Sequence, residues 1–129
     1  MKKIYLIEDD EVYSEFVKKS LEKEKKYIIR SFTNAEDCLK ALESDINPNV
    51  IIIDYFLPGM NGLELYHRLK KQHNKALIIV LSSNSDGNLV IELMKEGIRN
   101  YIMKDENVMD SISAILEEND DKLIEIYSS

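Results

Sequence analysis

The chain has 129 residues, 44% hydrophobic and 32% charged, with four glycines and two prolines. That is one domain's worth of chain with apolar content enough for a real core, which excludes disordered and fibrous classes. A formal net charge of -7 disfavours nucleic-acid backbones and anionic membranes as direct partners, and one cysteine with two histidines excludes an internal disulfide and a standard zinc site.

The basic start, Met1-Lys2-Lys3, is followed by only four apolar residues (4–7) before acids begin. Such a run is far too short for a signal peptide or a membrane span, so a cytoplasmic location is expected. Residues 4–7 predict a short strand, and the acids Glu8-Asp9-Asp10-Glu11 follow it. Val12, Phe16, Val17 and Leu21 then recur at helical spacing, with acids early and lysines late, which suits the helix dipole. Asp10 reads as N-terminal helix charge. Val12, Tyr13 and Phe16 read mainly as core, with Tyr13 a candidate partner contact. Residues 27–32 predict a second strand, mixed enough in polarity to be an edge. Thr33 or Asn34 caps the next helix, whose apolar face is Ala35, Cys38, Leu39 and Leu42. Cys38 in that pattern is a small core hydrophobe.

Val50-Ile51-Ile52-Ile53 is an unalternating β-favouring run that stops on Asp54, and a Pro58-Gly59 turn follows. Apolar runs without alternation belong to strands covered on both faces, as in parallel sheets. Asp54 then stands either at the ligand-binding carboxyl edge of an α/β sheet or as a simple turn residue. Leu65, Tyr66 and Leu69 give a third helix with a basic end, where His67 and His73 read as solvated. Residues 77–81 form another apolar strand, closed by Ser82-Ser83-Asn84-Ser85. A helix from about residue 86 to 96 ends at Gly97. Residues 101–103 form a last strand ending on Lys104, and Val108, Ile112, Ile115 and Leu116 make the final helix face. Residues 120–129 are left as a polar tail or linker stub after a domain of residues 1–119.

Five strands alternating with five helices predict right-handed βαβ units and a doubly wound α/β sheet. Glu8, Asp9, Asp54, Ser82 and Lys104 then gather at strand ends along one sheet edge. Carboxylates brought together repel, and a hard dication such as Mg2+ with oxygen ligands answers that repulsion. Three carboxylates, one dication and one lysine leave no net charge. The set suits phosphoryl transfer, with a carboxylate oxygen as the attacking group and the Ser82 hydroxyl as a donor able to move toward the new phosphoryl oxygens.

Glu8-Asp9, the run Asp54-x-x-Leu57-Pro58-Gly59-x-x-Gly62, Ser82 and Lys104, in this order, resemble the receiver domain of two-component response regulators. The resemblance extends over residues 3–116. It implies a flavodoxin-like five-stranded parallel sheet of order 2-1-3-4-5 with five helices, and a signalling domain in place of a classical enzyme. It further implies Asp54 as phosphoacceptor, with Mg2+ or Mn2+ held by Asp9, Asp54, the Phe56 carbonyl and Glu8, the last through water. Ser82 and Tyr101 would form the conformational switch, and Lys104 would pair with Asp54 at rest and with the phosphoryl group when active. Phe56 and Asn84, each two residues beyond a site residue, would govern self-dephosphorylation. The implied partners are a sensor histidine kinase or a histidine phosphotransfer protein, and the kinase, stimulus and output are not written in these residues.

One departure stands out. The family usually has Lys-Pro with a cis peptide, whereas Asp105 follows Lys104 here. A cis bond before a non-proline costs about 2.5–4 kcal/mol, so a trans bond is expected, and the usual dimer surface of the last two helices and last strand is put in question. A haloacid-dehalogenase-like phosphohydrolase would want Asp-x-Asp after the first strand, and a flavin carrier would want a Ser/Thr/Gly-rich loop there; the acid run suits neither. A pseudo-receiver scaffold, with the site retained but unused, is the closest alternative.

Overall fold

A computed structural model describes residues 1–44, 48–72, 74–83 and 87–120. The elements are β1 (Lys2–Ile7), α1 (Glu11–Glu22), β2 (Tyr27–Phe32), α2 (Ala35–Ser44), β3 (Val50–Asp54), α3 (Gly62–Lys71), β4 (Leu77–Ser82), α4 (Gly87–Lys95), β5 (Tyr101–Met103) and α5 (Val108–Glu118). All pairings in the sheet are parallel, in the order β2-β1-β3-β4-β5. This is the flavodoxin-like doubly wound fold expected.

The strand side chains explain the two layers. Tyr5, Ile7, Ile51, Ile53, Ile78 and Val80 pack with α2, α3 and α4 through Ala35, Cys38, Leu65, Leu69 and Leu93. The alternate set, Ile4, Leu6, Val50, Ile52, Ile79 and Leu81, packs with α1 and α5 through Val17, Leu21, Ile112 and Leu116. Because β1, β3 and β4 carry apolar residues to both faces, they read as continuous hydrophobic runs. β2 sits at the edge and alternates more, with Ile28, Arg30 and Ser31 exposed. Cys38 is buried as expected, and burial pushes its thiol up to about 12.

Caps set the helix starts. Asp10 caps α1 by accepting from the Val12 and Tyr13 amides at 3.0 and 3.1 Å. Of the two candidates before α2 it is Asn34 whose side chain accepts from the Asp37 amide, at 2.8 Å. Asn61 does the same for α3 through the Glu64 amide at 2.9 Å. α4 ends where Gly97, at φ 98°, donates to Met94 O while Ile98 donates to Leu93 O, the paired closure a left-handed glycine allows.

Two expectations are corrected. Val12 is 81% and Phe16 49% exposed, so neither is core. The inward stripe of α1 runs through Tyr13, Val17 and Leu21 at four-residue spacing, and Val12 and Phe16 form a parallel stripe about 100° away, given 3.6 residues per turn. His67, half-exposed, is not simply solvated: its Nε2 meets Glu96 Oε2 at 3.0 Å, because α3 lies beside the end of α4. His73 and Asn84 lie outside the described residues, as does most of the 120–129 tail.

Candidate functional site

The carboxyl ends of β1, β3, β4 and β5 deliver the site. Asp54 is the last residue of β3, in register with Leu81, and Ser82 ends β4 opposite Met103. Glu8 follows β1 directly, its amide bound to Phe32 O at 3.0 Å. Lys104 follows β5, its amide bound to Ser82 O at 2.8 Å. Parallel pairing thus places four residues distant in sequence on one edge. Glu8, Asp54 and Ser82 are buried, while Asp9 is exposed.

Carboxylate oxygens of Glu8, Asp9 and Asp54 lie within 4.8 Å of one another. This donor set, all hard oxygen, fits a divalent cation that prefers carboxylates and retained water. Lys104 Nζ contacts Glu8 Oε1, its nearer partner, and lies 3.4 Å from Asp54 Oδ1. The Phe56 amide donates to the same Asp54 oxygen at 3.2 Å. The β3–α3 turn therefore aims the carboxylate as well as leaving the strand. Burial, reinforced by the Asp54 carboxylate and opposed by Lys104, raises Glu8 to about 7. For Lys104 burial disfavours the charge, but the Glu8 hydrogen bond and the two carboxylates outweigh it and hold the ammonium above its ordinary range.

Gly62 explains part of the motif around Asp54. A Cβ there would stand 2.6 Å from the Asp54 carbonyl oxygen and 2.8 Å from Tyr55 Cα. Only glycine lets α3 start this close behind the end of β3. Gly59, at φ 70°, sits in the same turn.

The Lys104–Asp105 peptide is trans; no peptide bond among the described residues is cis. Asp105 accepts from the Asn107 amide at 2.8 Å, leading into α5. Tyr101 pairs with Val80, two positions back from Ser82 along β4, and borders a cleft of about 360 Å³ with Val90, Met94 and Ile98. Phe56 is half-exposed and stacks edge-on against Tyr55 at 4.8 Å.

Tyr13 was missed as a site neighbour. Its ring centroid lies 4.6 Å from Lys104 Nζ, and its hydroxyl is shut off from solvent without a hydrogen-bond partner among the described residues. Burial raises its phenol, with Lys104 opposing. Its four-residue spacing to Val17 gave no distinguishing signal, because Val12 and Phe16 share that spacing.

The pattern described as the response regulator receiver domain matches residues 4–116. The chain belongs to this family. Transcriptional regulatory protein YdfI of Bacillus subtilis is 30% identical over 105 residues, covering 81% of this chain and 49% of that protein. DNA-binding transcriptional regulator NtrC of Proteus hauseri is 26% identical over 112 residues, covering 87% of this chain and 23% of that protein. The chain thus spans about half of one of these relatives and under a quarter of the other. A CheY-like receiver from Methanospirillum hungatei superposes with a TM-score of 0.82 at 26% identity, covering 97% of this chain and 98% of that one. Response regulator TrrA of Thermotoga maritima, solved in complex with Mg(2+)-BeF, gives 0.75 at 30% identity over 95% of this chain and 99% of that one. Receiver domains are signalling domains of two-component systems, which removes the phosphohydrolase and flavin-carrier readings.

Proposed function

We propose that this receiver accepts a phosphoryl group on Asp54 from a phosphohistidine of a sensor kinase or phosphotransfer protein. The observation that carries the reading is the convergence of three carboxylates within 4.8 Å and an ammonium 3.4 Å from Asp54. Glu8, Asp9, Asp54 and the Phe56 carbonyl are the groups that would hold Mg2+, with Mn2+ a substitute. When bound, the ion offsets the negative charge of the phosphoryl oxygens.

The Phe56 amide and Lys104 orient the Asp54 carboxylate, which attacks phosphorus in line. The new O–P bond forms as the donor's N–P bond breaks, and the electron pair leaves on the imidazole nitrogen, which takes up a proton. Acyl phosphate formation makes the site more negative by about one unit. Lys104 then shifts from Glu8 toward the phosphoryl oxygens, and the Ser82 hydroxyl donates to them. Tyr101, beside its cleft, follows Ser82 and carries the change to the α4 side.

Val12 and Phe16, exposed on α1 beside the acid run, and Phe56 at the turn supply an apolar rim suited to a kinase or phosphotransfer helix. Output passes to a domain or protein outside these residues. The pseudo-receiver alternative predicts no acceptor chemistry. Mg2+-dependent labelling by acetyl phosphate decides between them: wild type takes label and Asp54→Asn does not. Equal labelling of both, or of neither, refutes the proposal.

A further inference from the structure

We infer that Tyr13 is a positioning residue for Lys104, its ring face holding the ammonium where Glu8 and Asp54 share it. The kinetic consequence rests on the acceptor reading of Asp54; the geometry does not.

Lys104 Nζ stands 4.6 Å from the ring centroid, inside the range of about 6 Å in which an aromatic face attracts a cation. The same nitrogen contacts Glu8 Oε1 and lies 3.4 Å from Asp54 Oδ1. A lysine is a point charge on a flexible four-carbon stem, and two acids attract it without fixing how it divides between them. The ring adds a contact of another kind. It attracts the charge without donating or accepting a proton, so it leaves the carboxylate oxygens to other partners.

The ring is itself fixed. The Tyr13 amide is bound by the Asp10 cap at 3.1 Å, which ties its backbone to the acid run of the site. Phe16 lies against it at 5.9 Å between centroids. The buried hydroxyl has no hydrogen-bond partner among the described residues, so the contact with Lys104 runs through the ring alone. Phenylalanine must therefore preserve it and leucine must abolish it.

Two readouts test this. In lysine-labelled protein, with Lys104 assigned by loss of its signal in Lys104→Arg, the Lys104 ε-methylene protons resonate upfield of the other lysines through the ring current. The shift persists in Tyr13→Phe and disappears in Tyr13→Leu. In Mg2+-dependent labelling by acetyl phosphate, Tyr13→Leu is slower by about 2- to 30-fold, the span of a cation–π contact, and Tyr13→Phe matches wild type. An unshifted Lys104 methylene in wild type overturns the inference, and needs no variant to fold. Leucine and phenylalanine variants that label alike overturn it as well. Labelling that survives Asp54→Asn counts against the acceptor assignment, while the resonance still decides the placement of Lys104.

Discussion

At the residue scale, Glu8 and Phe56 carry the sharpest consequences. Glu8 is buried and raised from 4.5 to about 7, chiefly by burial. A raised carboxyl binds its proton more tightly in the folded state. Its contribution to stability is thus fully present below the unfolded value of 4.5 and is lost as pH rises through about 7. Glu8→Gln removes this titration and keeps an oxygen for Lys104. In urea denaturation without divalent cations, wild type should gain on Glu8→Gln by on the order of 1 kcal/mol between pH 8 and pH 6. A difference independent of pH contradicts the raised value.

Phe56 is half-exposed beside Asp54 and has no polar side-chain atom with which to orient an attacking water. Phe56→Asn should speed loss of phosphate from the labelled protein, with its amide still donating to Asp54. A variant that holds its label as long as wild type, or longer, refutes this role. Glu8 was legible as a site member from its strand-end position, whereas Phe56, two residues beyond the end of β3, came from the resemblance alone. Two things were not legible. Glu8 as the nearer partner of Lys104 depends on side-chain geometry, and the Tyr13 ring depends on which α1 stripe faces inward.

At the element scale, the β3–α3 turn joins fold to site. Gly62→Ala places a methyl 2.6 Å from the Asp54 carbonyl, and only backbone can yield. Stability should fall by about 1–3 kcal/mol, and labelling should fall with it, since the same turn carries the Phe56 amide. Gly87→Ala is the control. Its added methyl meets nothing within 4 Å, and thermal unfolding should change by no more than about 0.5 kcal/mol. Equal effects at the two glycines would contradict the close-approach argument. The turn itself was visible as Pro58-Gly59 and Gly62, but the reason for the second glycine needed the distance from α3 to β3. α1 was read less well. Val12, Phe16 and Val17 are all apolar, and periodicity over so few turns did not separate the buried stripe from the exposed one. Tertiary contact did, through β1, β2 and Lys104.

At the scale of the molecule, the fold was legible because its physics is repetitive. Unalternating strands and amphipathic helices in strict succession leave few arrangements other than a doubly wound parallel sheet. The order of the strands is not contained in that alternation; it followed from the resemblance, and the observed β2-β1-β3-β4-β5 order agrees. The site was legible for the same reason, since parallel strands collect their carboxyl ends on one edge. The His67–Glu96 contact was not, because it joins two helices brought together only by the fold. The missing proline was read correctly in the trans bond after Lys104.

These scales meet in one proposal, that Asp54 is the residue phosphorylated. The direct measurement is chemical trapping: treat the protein with acetyl phosphate and Mg2+, reduce the acyl phosphate with borohydride, and map the altered aspartate by peptide mass spectrometry. The account predicts conversion to homoserine at position 54 and at no other acid, with none when Mg2+ is withheld. Conversion at Asp9 or Asp10, or no conversion at all, would contradict it.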